Sequence, residues 1–242
     1  MRDLEVQRLE LDEAWSYVGK KQRQLKADDS TDMGDQYVFL GMADSAKAIV
    51  SYSVGKRTAE NTREFLADLR VRVLGAPEIS SDGFNAYPEA VEMAFGRDCT
   101  FGTVEKHYSV SGSPEAARRY SPGVVVAVSK RRVVGRPKHI STSYIERQNL
   151  TLRMQQRRFT RLTNGFSKKL VNHKAAVALY VAHYNFCRSH EALRITPAMA
   201  LGVTDHIWTI AELIEAATNG VIALEPKGKI VSGFRVIDGG KQ

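Results

Sequence analysis

Cysteine is nearly missing: Cys99 and Cys187 are the only two in 242 residues and stand 88 positions apart. Such a pair builds neither a disulfide framework nor a cysteine zinc site. Long apolar runs are missing as well. No stretch approaches the ~18 consecutive apolar residues of a membrane span, so no membrane partner is expected. The opening Met1-Arg2-Asp3-Leu4-Glu5 is too acidic and polar for a secretory signal, and a cytoplasmic location is expected. What remains is ordinary for a globular chain, with 43% hydrophobic and 26% charged residues, which excludes wholesale disorder. The length suits one catalytic-size domain with an appendage.

The formal charge of +8 is unevenly spread. Between Ser129 and Lys169 stand 12 basic residues: Lys130, Arg131, Arg132, Arg136, Lys138, Arg147, Arg153, Arg157, Arg158, Arg161, Lys168 and Lys169. One acid, Glu146, opposes them, for a local balance of +11 that leaves the other 201 residues at −3. A field of this kind points to a polyanion, most economically nucleic acid. A surface built only to hold phosphate has no use for a glutamate in its middle.

Period-2 alternation reads Val6 to Val18 as a long strand with Leu9, Leu11, Trp15 and Tyr17 on one face. After a polar loop from Lys20 to Asp35, Tyr37–Leu40 and Ala48–Val54 complete an antiparallel meander. Thr58 caps a helix to about Leu74 that buries Phe65, Leu66, Leu69 and Val73. Glu78 to Ser81 is a short strand stopping at Asp82-Gly83, and Phe84 to Phe95 is helical. Thr100–Tyr108 and Val124–Ser129 are further strands around a Ser/Gly/Pro-rich loop, 109–123. Helices follow from Ser143 to about Leu162, from Ser167 to about Cys187, at Thr196-Pro197 and from Thr209 to Ala217. This order implies an α/β, ribonuclease-H-like mixed sheet flanked by helices. The organisation expected is a core over 1–165, a helical extension over 166–222 and a flexible tail over 223–242.

Three carboxylates stand out, each with a plain structural role available. Asp12 lies inside the first strand, where alternation sends it and Glu13 to opposite faces; alone it reads equally as an edge charge. Asp82 ends the fourth strand, and Asp-Gly is also a turn dipeptide. Ser143-Tyr144-Ile145-Glu146 fits a capping box. Against that, Ile145, Leu152 and Phe159 recur every seven residues as a buried stripe, and Glu146, Asn149, Arg153 and Arg157 share an adjoining face at ~100° per residue. In a ribonuclease-H-like sheet the first and fourth strands are neighbours and the late helix crosses their open end. The three acids then converge, and hard oxygen ligands of this kind suit Mg²⁺ or Mn²⁺. Two ions roughly 3.5–4 Å apart would serve phosphodiester displacement.

The motifs carrying these acids resemble known ones. Leu11-Asp12-Glu13-Ala14-Trp15-Ser16-Tyr17-Val18-Gly19, Ser81-Asp82-Gly83-Phe84-Asn85-Ala86-Tyr87 and Tyr144-Ile145-Glu146-Arg147-Gln148-Asn149-Leu150-Thr151-Leu152-Arg153 are similar to the three acidic motifs of bacterial DDE transposases, the insertion-sequence-one family above all. Gly55-Lys56-Arg57-Thr58 and Gly165-Phe166-Ser167-Lys168-Lys169 resemble further motifs of that family. His183-Tyr184-Asn185-Phe186-Cys187-Arg188-Ser189-His190, followed by Thr196-Pro197-Ala198, resembles the tail after the core of many DDE transposases.

The resemblance implies Mg²⁺-dependent DNA cleavage at insertion-sequence ends and 3′-OH strand transfer, with Asp12, Asp82 and Glu146 as the catalytic, metal-binding triad. Family members usually carry a zinc-binding and helix-turn-helix segment ahead of the core. About eight residues precede the first motif here, so a separate end-recognition protein is one expectation. Double-stranded DNA, a homo-oligomer and nucleoid association follow from the same resemblance. The alternatives are a non-catalytic DNA-binding remnant that regulates the element, and a ribonuclease-H-like nuclease without strand transfer.

Phosphate contacts are expected from Asn149, Arg153 and Arg157 on the helix, and from Arg131, Arg132, Arg136 and Lys138 in a loop before it. Such contacts position DNA without choosing sequence. Lys106 reads equally as a site residue or a solvated lysine. His183 and His190 have the wrong spacing for a metal pair and read as structural, as do Trp15 and Trp208.

Overall fold

The computed structural model describes residues 1–96, 98–108, 125–160 and 164–224. A six-stranded mixed sheet organises the chain. Its strands are β2 (Arg8–Val18), β3 (Gly34–Ala43), β4 (Ala48–Gly55), β6 (Glu78–Asp82), β7 (Thr100–Tyr108) and β8 (Val125–Val134), in the spatial order β4-β3-β2-β6-β7-β8. The expected meander is present: β2, β3 and β4 pair antiparallel. β6 then joins the open side of β2 in parallel, β7 joins β6 in parallel, and β8 returns antiparallel. Two short strands, β1 (Leu4–Glu5) and β5 (Val73–Leu74), pair beside it.

Helices cover both faces. α1 (Ala59–Arg72) and α2 (Tyr87–Phe95) bury Phe65, Leu66, Leu69, Tyr87 and Val91 against Leu9, Leu11, Phe39, Ile79 and Phe101. On the opposite face α3 (Ser143–Gln155) and α4 (Leu170–Phe186) bury Ile145, Leu152, Val177, Tyr180 and Val181 against Ala14, Val38, Leu40 and Ile49. Central β2 is thus covered on both sides, and its even positions Glu10, Ser16 and Val18 are buried along with Leu9 and Leu11. Burial of the polar members has to be offset by partners, and each has one. Ser16 Oγ donates to Gln36 O at 3.1 Å. Two further helices, α5 (Pro197–Ala200) and α6 (Ile210–Leu224), follow α4, and Thr196 caps the first of them as its Thr-Pro start implies.

One side chain near the end of α4 bonds to both backbone groups of a β4 residue. Asn185 Nδ2 donates to Ile49 O at 2.8 Å, and Ile49 N donates to Asn185 Oδ1 at 3.0 Å. This happens beside the register shift between Gly41 and Met42, where the β3–β4 ladder is interrupted. The buried amide takes the place of the missing strand partner.

Several boundaries differ from expectation. β8 runs on to Val134, so Arg131 and Arg132 lie on a strand and not in a loop. Gly135, at φ +61°, then turns the chain. α3 ends at Gln155, where residue 156 is extended, and Arg157–Phe159 form a 3₁₀ turn. The chain leaves the helix to bury Phe159 against His173, with ring centroids 5.1 Å apart. Arg157 is therefore off the helical face assigned to it. The loop expected over 109–123 lies outside the described residues, as does the expected tail from 225 onward.

Candidate metal centre

The site originates in strand lengths. β6 has five residues and lies between β2, with eleven, and β7, with nine. Its register with β2 ends at Leu11 opposite Ser81, and Asp82 faces Val104 of β7. Beyond Asp82 the chain turns away, so β2 and β7 continue past a notch with no strand in it. A cleft of about 730 Å³ opens there, lined by Asp12, Arg57, Asp82, Gly83, Phe84, Asn85, Val104, Glu105, Lys106, Glu146, Asn149 and Arg153. The C-terminal end of a parallel strand is where open α/β sheets hold ligands.

Asp12 is the first residue of β2 past the end of the β6 register. Its Oδ1 accepts from Glu13 N at 2.8 Å, and its Oδ2 accepts from Asn149 Nδ2 at 2.8 Å. Burial, then the charge of Asp82, pushes its carboxyl up to about 6. Asp82 uses Oδ1 to accept from Phe84 N at 3.0 Å, the turn expected of Asp-Gly, while Oδ2 faces Arg57 at 3.4 Å. One side chain both closes the turn and lines the cleft.

Glu146 lines the same cleft from α3. The capping box assigned to it does not form. Thr142 is the N-cap, and the helix start is held by Glu10 of β2, whose Oε2 accepts from Tyr144 N and Ile145 N at 2.8 and 2.9 Å. Glu10 is 4% exposed, and its negative charge sits where the helix dipole favours one. Glu146 is thereby left to the cleft, with Oε1 accepting from Thr142 Oγ1 at 2.7 Å and Oε2 paired to Lys106. Lys106 is thus a partner of Glu146 and not a solvated lysine.

A fourth carboxylate, Glu13, was not singled out from the sequence. Among the described residues, Asp12, Glu13 and Asp82 bring one carboxylate oxygen each within 4.8 Å of one another. Alternation does send Glu13 to the α1–α2 side, where its side chain is 2% exposed and accepts from Arg57 Nε at 3.0 Å. Past the end of β6 there is no strand between the two faces, so both acids reach the notch. Burial pushes Glu13 up to about 7, and the Asp82 and Asp12 charges add to the effect. Arg57 spans Glu13 and Asp82 with its guanidinium 4.0 Å from the Phe84 ring centroid. It belongs to the motif Gly55-Lys56-Arg57-Thr58, which begins at the last residue of β4.

The donor set fits a hard divalent cation. It consists of carboxylate oxygens, and burial first, then mutual repulsion, holds two of them well above the ordinary carboxylate range. A cation between them offsets both effects.

The basic residues divide into two groups. Arg131, Arg132 and Lys138, with Lys130, line a separate groove beside Pro137 and Ile140. The backbone of this loop is pinned to β6, since Lys138 N and His139 N both donate to the Glu78 carboxylate. Arg136 is exposed nearby, and Arg157 is exposed beyond α3. Arg153 lines the carboxylate cleft. Asn149 is 3% exposed and its amide nitrogen donates to Asp12, so its partner within the fold is a carboxylate.

No helix among the described residues is long and apolar enough to cross a membrane. No protein-family model matches the chain. The insertion element iso-IS1n protein InsB of Shigella dysenteriae is 27% identical over 177 residues, covering 73% of this chain and 95% of that protein. The similarity to insertion-sequence transposases read from the motifs is borne out by this relative. A piggyBac transposase in a synaptic complex with hairpin DNA aligns at a TM-score of 0.38 and 10% identity; the alignment covers 93% of this chain and 55% of that one.

Proposed function

We propose that this insertion-sequence-transposase-like chain is a metal-dependent polynucleotidyl transferase with a ribonuclease-H-like sheet, cutting DNA at element ends and joining the freed 3′-hydroxyl to target DNA. The observation that carries the reading is the notch past β6, lined by Asp12, Asp82 and Glu146 from three distant parts of the chain. In this reading those three residues hold Mg²⁺, as two ions, with Mn²⁺ as a substitute. When bound, the ions supply Lewis acidity toward the attacking oxygen and the scissile phosphate.

The remaining work falls to the protein's own side chains. Asn149 fixes one oxygen of Asp12 and so the direction of the other. Thr142 and Lys106 orient Glu146 across the cleft. Arg57 keeps Glu13 and Asp82 together against their repulsion. Arg153 supplies positive charge inside the cleft, and Arg131, Arg132, Arg136, Lys138 and Arg157 hold backbone phosphates outside it, giving affinity and register. Transposition needs two ends held at once, so the active form in this reading is a homo-oligomer on double-stranded DNA. Residues 1–165 form the catalytic core in this reading, and 166–222 an extension that completes its second hydrophobic layer.

A strand-transfer assay on terminal-repeat duplexes tests this. Wild type with Mg²⁺ is expected to give nicked and joined products, and Glu146→Gln neither, with duplex binding retained. Cleaved but unjoined products from wild type would make the chain a nuclease. Full activity in Glu146→Gln would overturn the reading.

A further inference from the structure

A second cavity lies on the far side of α3. It measures about 270 Å³ and is walled by Lys47, Tyr144, Arg147, Tyr184, Arg188 and His190. These residues come from four places: the β3–β4 turn, the outer face of α3, the last turn of α4 and the segment after it. None belongs to the carboxylate cleft. The helix separates the two sites, since Glu146, Asn149 and Arg153 face one while Tyr144, Arg147 and Thr151 face the other, each set at spacings of three and four residues.

The cavity wall carries more positive charge than its one acid, Glu191, offsets. Arg188 Nη1 and His190 Nδ1 are both buried and without a hydrogen-bond partner. A buried guanidinium nitrogen left unpaired is costly, and such atoms in a native fold are satisfied by an ordered water, an ion or a ligand. Lys47 is held at φ +54° in its turn, with its ammonium 3.0 Å from the Tyr144 ring centroid, and Tyr184 Oη donates to Lys47 O at 2.8 Å to keep the turn in place. Three permanent cations, Lys47, Arg147 and Arg188, therefore face one acid at the rim, Glu191, and among the described residues neither arginine forms an ion pair with it. The same cationic surroundings, after burial, hold His190 below the ordinary histidine range.

We propose that this cavity is a phosphate site that takes one phosphodiester of a DNA backbone lying across α3. Two guanidinium groups and an ammonium around a small cavity match a tetrahedral oxyanion, and the planar fork of arginine suits phosphate oxygens. That the phosphate belongs to DNA rests on the polynucleotidyl-transferase reading above. His190, which the sequence suggested was structural, and Arg188 are then binding residues.

The test is the salt dependence of binding to a duplex of about 30 base pairs, by fluorescence anisotropy, for wild type, Arg188→Gln and Arg147→Ala. Each phosphate contact contributes about 0.9 to the slope of log K against log salt, so each variant is expected to bind severalfold more weakly with a slope about one unit shallower. Arg147 is exposed on a helix surface, so its variant tests the site even if Arg188→Gln fails to fold. A duplex bound with unchanged slope by both variants overturns this site alone. Inorganic phosphate raising the Tm of wild type but not of Arg188→Gln, with the duplex slope unchanged, makes it a free-anion site and overturns the DNA assignment. A wild type that binds no duplex overturns this inference together with the function it rests on.

Discussion

Asp12→Asn is expected to abolish DNA cleavage and, at the same time, to raise the thermal stability of the protein at about pH 8. The two effects have one cause. Burial and the neighbouring Asp82 put the Asp12 carboxyl at about 6 in the fold, above its ordinary value of 3.8. A carboxyl raised in this way contributes most to stability when protonated, and that contribution is lost as pH rises through about 6. At about pH 8 its charge therefore costs the fold on the order of 3 kcal/mol. Asparagine removes the charge without leaving a hole. Its Oδ1 can keep the bond from Glu13 N, and its Nδ2 can donate to Asn149 Oδ1, which is buried and unpartnered in the wild type, once the Asn149 amide turns over. The expected gain is a few degrees in Tm. On the proposed function, activity falls by on the order of a thousandfold or more, because a carboxylate assigned to the metal is gone. Added Mg²⁺ should stabilise wild type and leave the variant unmoved, since a cation that binds the folded state alone shifts its equilibrium. A variant that is both less stable and still active would mean that Asp12 serves the fold alone, through its bonds with Glu13 N and Asn149.

The second large effect concerns acid stability and one histidine. His173 of α4 is fully buried between two serines, with Nε2 2.9 Å from Ser16 Oγ and Nδ1 2.8 Å from Ser167 Oγ. Ser16 spends its hydrogen on Gln36 O, so it accepts from His173 Nε2–H, and His173 Nδ1 then accepts from Ser167. Ser167 Oγ in turn accepts from Arg158 Nη1 at 3.1 Å. The network has a place for neutral imidazole only. Protonation would aim a second N–H at Ser167, close to an arginine. Burial first, and the Arg158 charge second, lower the His173 pKa to about 4 from 6.5.

A lowered histidine binds its proton more readily in the unfolded chain. Its stabilising effect is therefore complete above about pH 6.5 and is lost as pH falls toward about 4, by on the order of 3 kcal/mol. Asp12 and Glu13, at about 6 and about 7, act with the opposite sign over much of this range. Wild type alone would show only the difference. Comparison with His173→Gln isolates the histidine, because the carboxylates are common to both proteins. The variant is expected to be less stable near pH 7.5 by about 1–3 kcal/mol, the cost of disturbing buried hydrogen bonds. That gap should narrow steadily on acidification in urea titrations at successive pH values. Parallel stability curves would show that the ring carries its proton at no cost.

Much of this architecture is legible in the residue order. Period-2 alternation along β2 sends Asp12 and Glu13 to opposite faces, as found, and Asp82-Gly83 marks where β6 stops. The sevenfold spacing of Ile145, Leu152 and Phe159 gives the buried side of α3 although the helix ends before the last of them. What was not legible depends on where strands end relative to one another. Glu13 enters the acidic cluster because β6 is shorter than its neighbours, and no local pattern in Leu11-Asp12-Glu13 states that. Glu10 caps α3 from 134 positions away, whereas the local capping box that Ser143 and Glu146 spell out goes unused. Asn149 looked like a surface amide because helical periodicity places it beside arginines, yet the packing of α3 on β2 turns it to Asp12. Arg57 did carry a signal, its motif, but its partners lie on two other strands.

The measurement closest to the central claim is Mn²⁺ binding by electron paramagnetic resonance, to wild type and to Asp12→Asn, Asp82→Asn and Glu146→Gln, in the presence of a nicked duplex. Bound Mn²⁺ is expected in wild type, tightening from about pH 5 to about pH 8 as the raised carboxyls of Asp12 and Glu13 give up their protons to the metal. Each substitution should weaken it. Mn²⁺ that does not bind wild type, or that binds all four proteins alike, would contradict the account and leave Asp82 as a turn residue and Glu146 as the partner of Lys106.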